Sequence, residues 1–289
     1  MTLEEKYCGY IPIIGKPNIG KSTLLNKIVG HKISITSNKP HTTRNPIIGI
    51  HTDGNYQAIY VDTPGGVVRS DENIIKSQQT NFLNITAASA IIFMVERTSW
   101  TKNDINICNK LKINMSPVLL VINKIDLIKK KQSLLPYIQF LSTKINCIEI
   151  IPISAHTGYN IKNMVNIINN LLPKARHEFA KEDFTDQGHK DRIYEIIREK
   201  IMRFLGSELP YIVDIDLEKI FFNQNGNYYI YANIVVGSIG HKKIIIGSKG
   251  NKIKKISIAA RLDIEVIVKA KVFIKLWVKI KRDLKKFIY

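Results

Sequence analysis

Eight residues constrain this chain more than any other stretch. Gly15-Lys16-Pro17-Asn18-Ile19-Gly20-Lys21-Ser22 fits G-x-x-x-x-G-K-S/T, with the apolar run Tyr10-Ile11-Pro12-Ile13-Ile14 before it and a helical pattern, Ser22 to Val29, after it. In a strand–loop–helix setting the glycines let backbone N–H groups converge on phosphates. Lys21 supplies a mobile positive charge, and the Ser22 hydroxyl, with Thr23 next to it, reaches a magnesium ion. A plain glycine turn is the alternative, and the flanking strand and helix argue against it.

The order of apolar runs extends this into a fold. Ile47 to His51 and Gln57 to Val61 flank Thr52-Asp53-Gly54-Asn55, a hairpin signal from its Asp-Gly step. Ala90 to Val95, Pro117 to Ile122 and Cys147 to Ile153 are further runs of strand length, with helical stretches near 73–87, 103–113, 130–143 and 160–171. Strands spaced by helices form an α/β layer with a mostly parallel sheet and a site at its carboxyl edge; the one hairpin makes the sheet mixed. Three scattered cysteines, Cys8, Cys108 and Cys147, exclude a disulfide scaffold and offer no metal cluster. The start, Met1-Thr2-Leu3-Glu4-Glu5, lacks the basic region and apolar run of a signal peptide, and no apolar stretch has the length of a membrane span.

The pattern changes after Leu172-Pro173. Residues 174–190 are polar and without period, as a linker would be, so the expected division is a first domain over 1–173 and a smaller α+β domain over 191–289. Helical periodicity resumes at Ile193, Ile196, Ile197, Ile201 and Phe204. Extended runs Tyr211 to Phe222 and Tyr228 to Val236 follow, then a short apolar element, Gly247-Ser248-Lys249-Gly250, a basic helix from Asn251 to about Lys269, and a strand from Val272 to Ile280.

Three more elements of the first domain fall at strand ends. Asp62-Thr63-Pro64-Gly65 closes the run 57–61, where Asp62 can hold a metal indirectly and the Gly65 N–H can meet a γ-phosphate. Asn123-Lys124-Ile125-Asp126 closes the run 117–122. The Asp126 carboxylate can accept two hydrogens from guanine N1 and N2, which adenine cannot offer, while Asn123 braces the loop. Ser154-Ala155 follows the strand 147–153 and can present a backbone N–H to the guanine oxygen. Asp126, with Asn123 at the base edge, thus selects GTP over ATP.

Charge marks the second domain. The chain carries 43 Lys+Arg against 24 Asp+Glu, a formal +19, but residues 237–289 alone hold 15 basic and 3 acidic side chains. A polyanionic partner is favoured, with an anionic membrane surface as the weaker alternative. Lys242 and Lys243 precede Gly247-Ser248-Lys249-Gly250, and Lys252, Lys254, Lys255 and Arg261 follow it. Two glycines permit close passage of a sugar-phosphate backbone, the amides opening the next helix favour phosphate, and Ile244-Ile245-Ile246 with Ile253 can floor a groove for unpaired bases. The plain alternative is a solvated basic face around a helix–helix turn. Alternation through 271–281 suggests one charged strand face, with Trp277 expected in the core.

These motifs resemble the four nucleotide-binding elements of translation-factor-like small GTPases. Lys32-Ile33-Ser34-Ile35-Thr36-Ser37 and Thr42-Thr43-Arg44 are similar to the first switch of the bacterial Era GTPase family. Ile196 to Gly206, Glu208-Leu209-Pro210-Tyr211, Ile246 to Gly250 and Leu276-Trp277-Val278-Lys279 are similar to the same family's second domain. The resemblance runs from about residue 7 to about 281. It implies a Ras-like α/β P-loop GTPase domain followed by a type II KH domain that binds the 3′ end of small-subunit ribosomal RNA and assists 30S assembly. A role on the large subunit or tRNA, or an RNA module with negligible turnover, stands as the alternative. The resemblance also makes Thr43, or its neighbour Thr42, the switch ligand of Mg²⁺. It makes Asn18 a contact for a monovalent cation, usually potassium, against a plain loop-bracing role. A monomer in the cytoplasm, with peripheral contact to the inner face of the cell membrane, would fit. One residue departs: Gly66 stands where relatives carry a glutamine or a hydrophobic side chain. Hydrolysis is therefore expected to be slow and to rest on Lys21, Thr43, Gly65 and the cation site.

Overall fold

Consecutive apolar strands and amphipathic helices sort this chain into two sheets with separate cores. The computed structural model describes residues 5–34, 46–63, 88–112, 116–206, 209, 212–223 and 226–281, and divides into two compact units, Met1–Asp186 and Gln187–Tyr289.

The first unit runs β1 (Tyr7–Ile14), α1 (Lys21–Val29), β2 (Ile47–Asp53), β3 (Tyr56–Asp62), β4 (Ile91–Glu96), α2 (Lys102–Leu111), β5 (Val118–Asn123), α3 (Leu134–Ser142), β6 (Glu149–Pro152) and α4 (Ile161–Asn169). The sheet order is β2-β3-β1-β4-β5-β6. β2 and β3 pair antiparallel through the expected hairpin, and the remaining pairs are parallel. Helices cover both faces, which is why β5 is buried at every position and reads as an unbroken apolar run. Ile11, Ile13 and Leu119 pack on α1 and α4 through Leu24, Leu25, Met164 and Ile168. Phe93, Leu120 and Ile122 pack on the other side against Ile107, Leu111 and Leu141. The helix expected over 73–87 lies outside the described residues.

The stretch read as a linker is not loose over most of its length. Ala175 donates to Lys6 O (3.0 Å), Ile50 N donates to Phe184 O (3.0 Å), and Thr185 Oγ1 donates to Ile48 O (2.8 Å). The fully buried Gln57 accepts from the amides of Glu178 (2.8 Å) and Phe179 (3.0 Å) and donates back to Phe179 O (3.0 Å). Residues 174–186 are thus strapped along the β2–β3–β1 side of the first unit.

The second unit runs α5 (His189–Phe204), β7 (Asp214–Phe222), β8 (Tyr228–Val236), α6 (Ile239–Ile246), α7 (Asn251–Val268) and β9 (Val272–Ile280). β7 and β8 are antiparallel; β8 and β9 are parallel from Tyr228↔Val272 to Val236↔Ile280. A parallel pair needs a crossover, and α6, the glycine loop and α7 supply it. The short apolar element is a full helix, α6, opened by Ser238, whose Oγ accepts from the His241 amide (3.2 Å). Ile230, Ala232, Ile234 and Val236 lie completely buried under Ile193, Ile197, Ile256, Ala260 and Ile264 from α5 and α7. Among the described residues no helix is long and apolar enough to cross a membrane.

Candidate functional site

The loop between β1 and α1 carries the first half of the expected nucleotide site. Gly20 sits at φ 105°, and a Cβ there would lie 2.4 Å from Asn123 Nδ2, so only glycine fits. α1 begins at Lys21, which turns its first free amides towards the loop. Lys21 is buried, and its Nζ donates to the carbonyls of Gly15 (3.0 Å) and Lys16 (3.3 Å). Burial pulls the ammonium below the ordinary lysine value, and the negative charge of Asp62 opposes that shift.

Asp62, at the end of β3, is fully buried. Ser22 Oγ donates to its Oδ2 at 2.5 Å, and Ser34 Oγ donates to the same oxygen at 3.0 Å. The fold thus joins the two expected metal-site residues across 40 positions. This set of hard oxygen donors, buried at Asp62 and Ser34 and half-buried at Ser22, suits Mg²⁺, which favours carboxylate, hydroxyl and phosphate ligands. Sequence reasoning did not single out Ser34; its signal was membership of the 32–37 segment. Thr43, Gly65 and Gly66 lie outside the described residues, as does the basic tail from Arg282.

At the other end, Asn123 ties three loops together. Its Nδ2 donates to Ile19 O (2.8 Å), and its Oδ1 accepts from the Ala155 amide (2.9 Å). Lys124, at φ 63°, donates to Asn18 O (2.7 Å) and Glu96 Oε1 (3.0 Å). Asp126 lies in a short 3-10 turn, Ile125–Leu127, and is solvent-exposed. The Ser154 and Ala155 amides were expected to serve a guanine oxygen. In this structure they donate to Tyr159 O (3.2 Å) and to Asn123 Oδ1 (2.9 Å), which ties their loop to the end of β5. Asn18, at φ 61°, is exposed and offers its carbonyl to Lys124.

Glu96 was missed. It ends β4 directly opposite Asn123 and gathers Lys124, Lys16 (3.9 Å) and Arg97 (3.4 Å). Partial burial pushes its carboxyl up, but the Lys124 hydrogen bond and the three cations outweigh that and hold it below the usual range. Lys16 also meets the fully buried Asp104 (3.7 Å), which caps α2 through Thr101. The available clue was an acidic residue ending a strand at the sheet's carboxyl edge.

In the second unit the glycine loop joins α6 to α7. Gly247 lies at φ 72°, ψ 176°, and a Cβ there would come within 2.7 Å of Lys252 Cβ. Ser248 and Lys249 are exposed at the tip, and Lys249 itself takes a left-handed conformation, φ 48°. Lys243, Lys254 and Lys255 are exposed around the loop, while Lys242, Lys252 and Arg261 are half-buried. The expected apolar floor is partly corrected: Ile245 is fully buried in the core, Ile246 and Ile253 pack against it, and Ile244 is 44% exposed. Trp277, expected in the core, is 43% exposed because Val278 takes the inward position.

The comparisons with known proteins fit this two-part arrangement. The family profile described as 50S ribosome-binding GTPase matches residues 10–124, and a KH domain profile matches 208–284. GTPase Era of Yersinia enterocolitica is 48% identical over 285 residues, spanning 96% of this chain and 92% of that protein. The chain belongs to the Era GTPase family. A crystal structure of Era in complex with MgGDPNP and nucleotides 1506–1542 of 16S ribosomal RNA superposes with a TM-score of 0.87 at 35% identity, covering 96% of this chain and 95% of that one. A variant of Aquifex aeolicus Era bound to GDP and AlF4⁻ matches with the same TM-score and coverage at 34% identity. Membership of the Era family accounts for the pairing of a Ras-like GTPase unit, with its mostly parallel mixed sheet, and a KH unit in one chain.

Proposed function

We propose that this Era-family protein is a GTP-hydrolysing switch that binds small-subunit ribosomal RNA near its 3′ end and assists assembly of the 30S subunit. The observation that carries the reading is the similarity, over 96% of the chain and both units, to an Era structure that holds a GTP analogue and 16S RNA together.

In this reading Gly15, Pro17, Asn18, Ile19, Gly20 and Thr23 surround the phosphates. The Lys21 ammonium leaves the Gly15 and Lys16 carbonyls to meet the β- and γ-oxygens, and Asp126 accepts the guanine N–H pair from its exposed turn. Ser22 and Asp62, joined by Thr43, would hold Mg²⁺, which neutralises charge between the β- and γ-phosphates when bound. Gly65 contributes an amide to the γ-phosphate. Gly66 has no side chain to orient water, so intrinsic turnover is slow. Potassium held at Asn18 would add positive charge where the bond breaks.

The exposed Gly247–Gly250 tip and its lysines clamp a few unpaired nucleotides. The protein acts as a monomer in the cytoplasm, and its basic surface can also rest on anionic lipid at the inner face of the membrane. The second reading, large-subunit maturation, is favoured by the name of the profile over 10–124. The basic KH unit and the 16S fragment in the solved relative favour the small subunit.

Titration with an unpaired small-subunit 3′-end RNA and with a duplex of equal length, across salt concentrations, tests the clamp. Affinity for both should fall with salt as counterions are released, and the single strand should stay preferred at higher salt. Ser248→Asp with Lys249→Asp should weaken RNA binding and leave GTP affinity intact. Equal binding of strand and duplex at every salt would reduce the basic surface to a nonspecific patch.

A further inference from the structure

The glycine loop and its helices lie on the inner side of the second unit's sheet. The outer side is built quite differently. Because side chains alternate along strands, Tyr229 and Tyr231 of β8 and Phe273, Lys275, Trp277 and Lys279 of β9 face away from α5 and α7. The rings form one continuous row: Phe273 on Tyr229 (5.0 Å between centroids, 15° between planes), Tyr229 on Phe221 (5.1 Å, 7°), Phe221 on Tyr231 (6.0 Å, 10°) and Tyr231 on Trp277 (5.8 Å, 14°). The row's two ends, Phe273 and Trp277, both lie on β9, an edge strand, and are 41% and 43% exposed. Each end ring has one stacked ring among the described residues and keeps about two-fifths of its surface exposed, so a further planar group can continue the row.

Cations interleave the rings. Lys219 stands 5.0 Å from the centroid of Phe221, Lys271 stands 5.4 Å from Phe273, and Lys275 stands 5.8 Å from Tyr231. Along β9 the outer side therefore reads Lys271, Phe273, Lys275, Trp277, Lys279, alternating charge and ring at about 6.8 Å per pair of residues. Among the described residues, acidic groups gather at one end of this surface: Glu218 pairs with Lys279 at 3.5 Å, and Asp216 and Glu218 both lie 3.4 Å from Asn233 Nδ2. A protein-docking face would present contiguous apolar surface. Exposed π-faces alternating with ammonium groups match a chain of bases and phosphates.

We propose that the outer edge of β9, from Lys271 to Lys279, is a second platform for single-stranded RNA, stacking bases on Phe273 and Trp277 while Lys271 and Lys275 meet the phosphates. It rests on the reading of this unit as an RNA binder but uses a surface separate from the Gly247–Gly250 loop, so each can fail alone. The chain has two tryptophans, and Trp100→Phe leaves Trp277 as the single reporter. A mixed-sequence 12-nucleotide RNA titrated into that full-length protein should quench Trp277 emission saturably, and the duplex form should quench it far less. The quench should persist with Ser248→Asp and Lys249→Asp. Phe273→Ala should raise the RNA concentration needed at least about fivefold, and Lys275→Glu, a change at an exposed position, should do the same without a folding cost. Four outcomes would overturn the platform: no quench while labelled RNA still binds, a quench that vanishes with the loop substitutions, an equal response to heparin, or concentration-dependent self-association through this face in place of an RNA response.

Discussion

Replacing Asn123 with alanine should damage the first unit more than its size suggests. Asn123 is 2% exposed and makes two bonds, to Ile19 O at 2.8 Å and from the Ala155 amide at 2.9 Å. Alanine leaves both backbone groups without that partner, at about 1–3 kcal/mol for each group that stays dry. Partial rehydration puts the expected loss at about 2–4 kcal/mol. The same change releases the loop that carries Ile19, so GTP affinity should fall with stability. Trp100, edge-on to Phe93 at 6.2 Å, reports this unit, and Trp277→Phe removes the other fluorophore. Urea unfolding of full-length protein followed by Trp100 emission would measure the loss. Asn123→Asp should be at least as harmful, since it buries a charge and turns an acceptor towards Ile19 O. A loss below about 0.5 kcal/mol with unchanged GTP affinity would refute the bracing role.

Three further outcomes are expected. Asp126→Asn should weaken GTP binding and make xanthosine triphosphate relatively acceptable, because the new amide complements the base's extra keto group; nucleotide competition reads this, and an unchanged guanine preference would remove Asp126 from the site. Lys21→Ala should stay cooperatively folded while losing at least about tenfold in Mg²⁺-GTP affinity by calorimetry, in line with the strength of charge-assisted bonds to phosphate; wild-type affinity would contradict the phosphate role. Turnover in KCl should exceed that in NaCl at equal ionic strength, and Asn18→Ala should erase the difference; equal rates in both salts would leave Asn18 a loop residue.

Much of the architecture was legible because local signals agreed with the tertiary ones. The Asp53-Gly54 step marked the β2–β3 hairpin, and the alternation of lysines through 271–281 marked one charged face of β9. The failures have physical causes. α6 hid behind Ile244-Ile245-Ile246, whose apolar character wraps around the helix and gives no period. Trp277 looked like core by residue type, yet parity along the strand put it outside. The strap 174–186 is held by backbone hydrogen bonds and by Gln57, 117 or more positions earlier, contacts that leave no local hydrophobic pattern. Asp62 and Asn123 were found because their motifs have fixed spacings. Ser34 and Glu96 act through neighbours that only the folded sheet brings close.

The account's central claim is that one chain couples a guanine-nucleotide site to recognition of small-subunit RNA. Crosslinking the full-length protein to RNA from its own cells, with GDP or a non-hydrolysable GTP analogue present, and sequencing the bound fragments tests this most directly. The account predicts crosslinks concentrated in an unpaired segment at the 3′ end of small-subunit ribosomal RNA, falling when Ser248 and Lys249 are replaced by aspartate. Crosslinks concentrated in large-subunit RNA or tRNA, and unaffected by those substitutions, would contradict it.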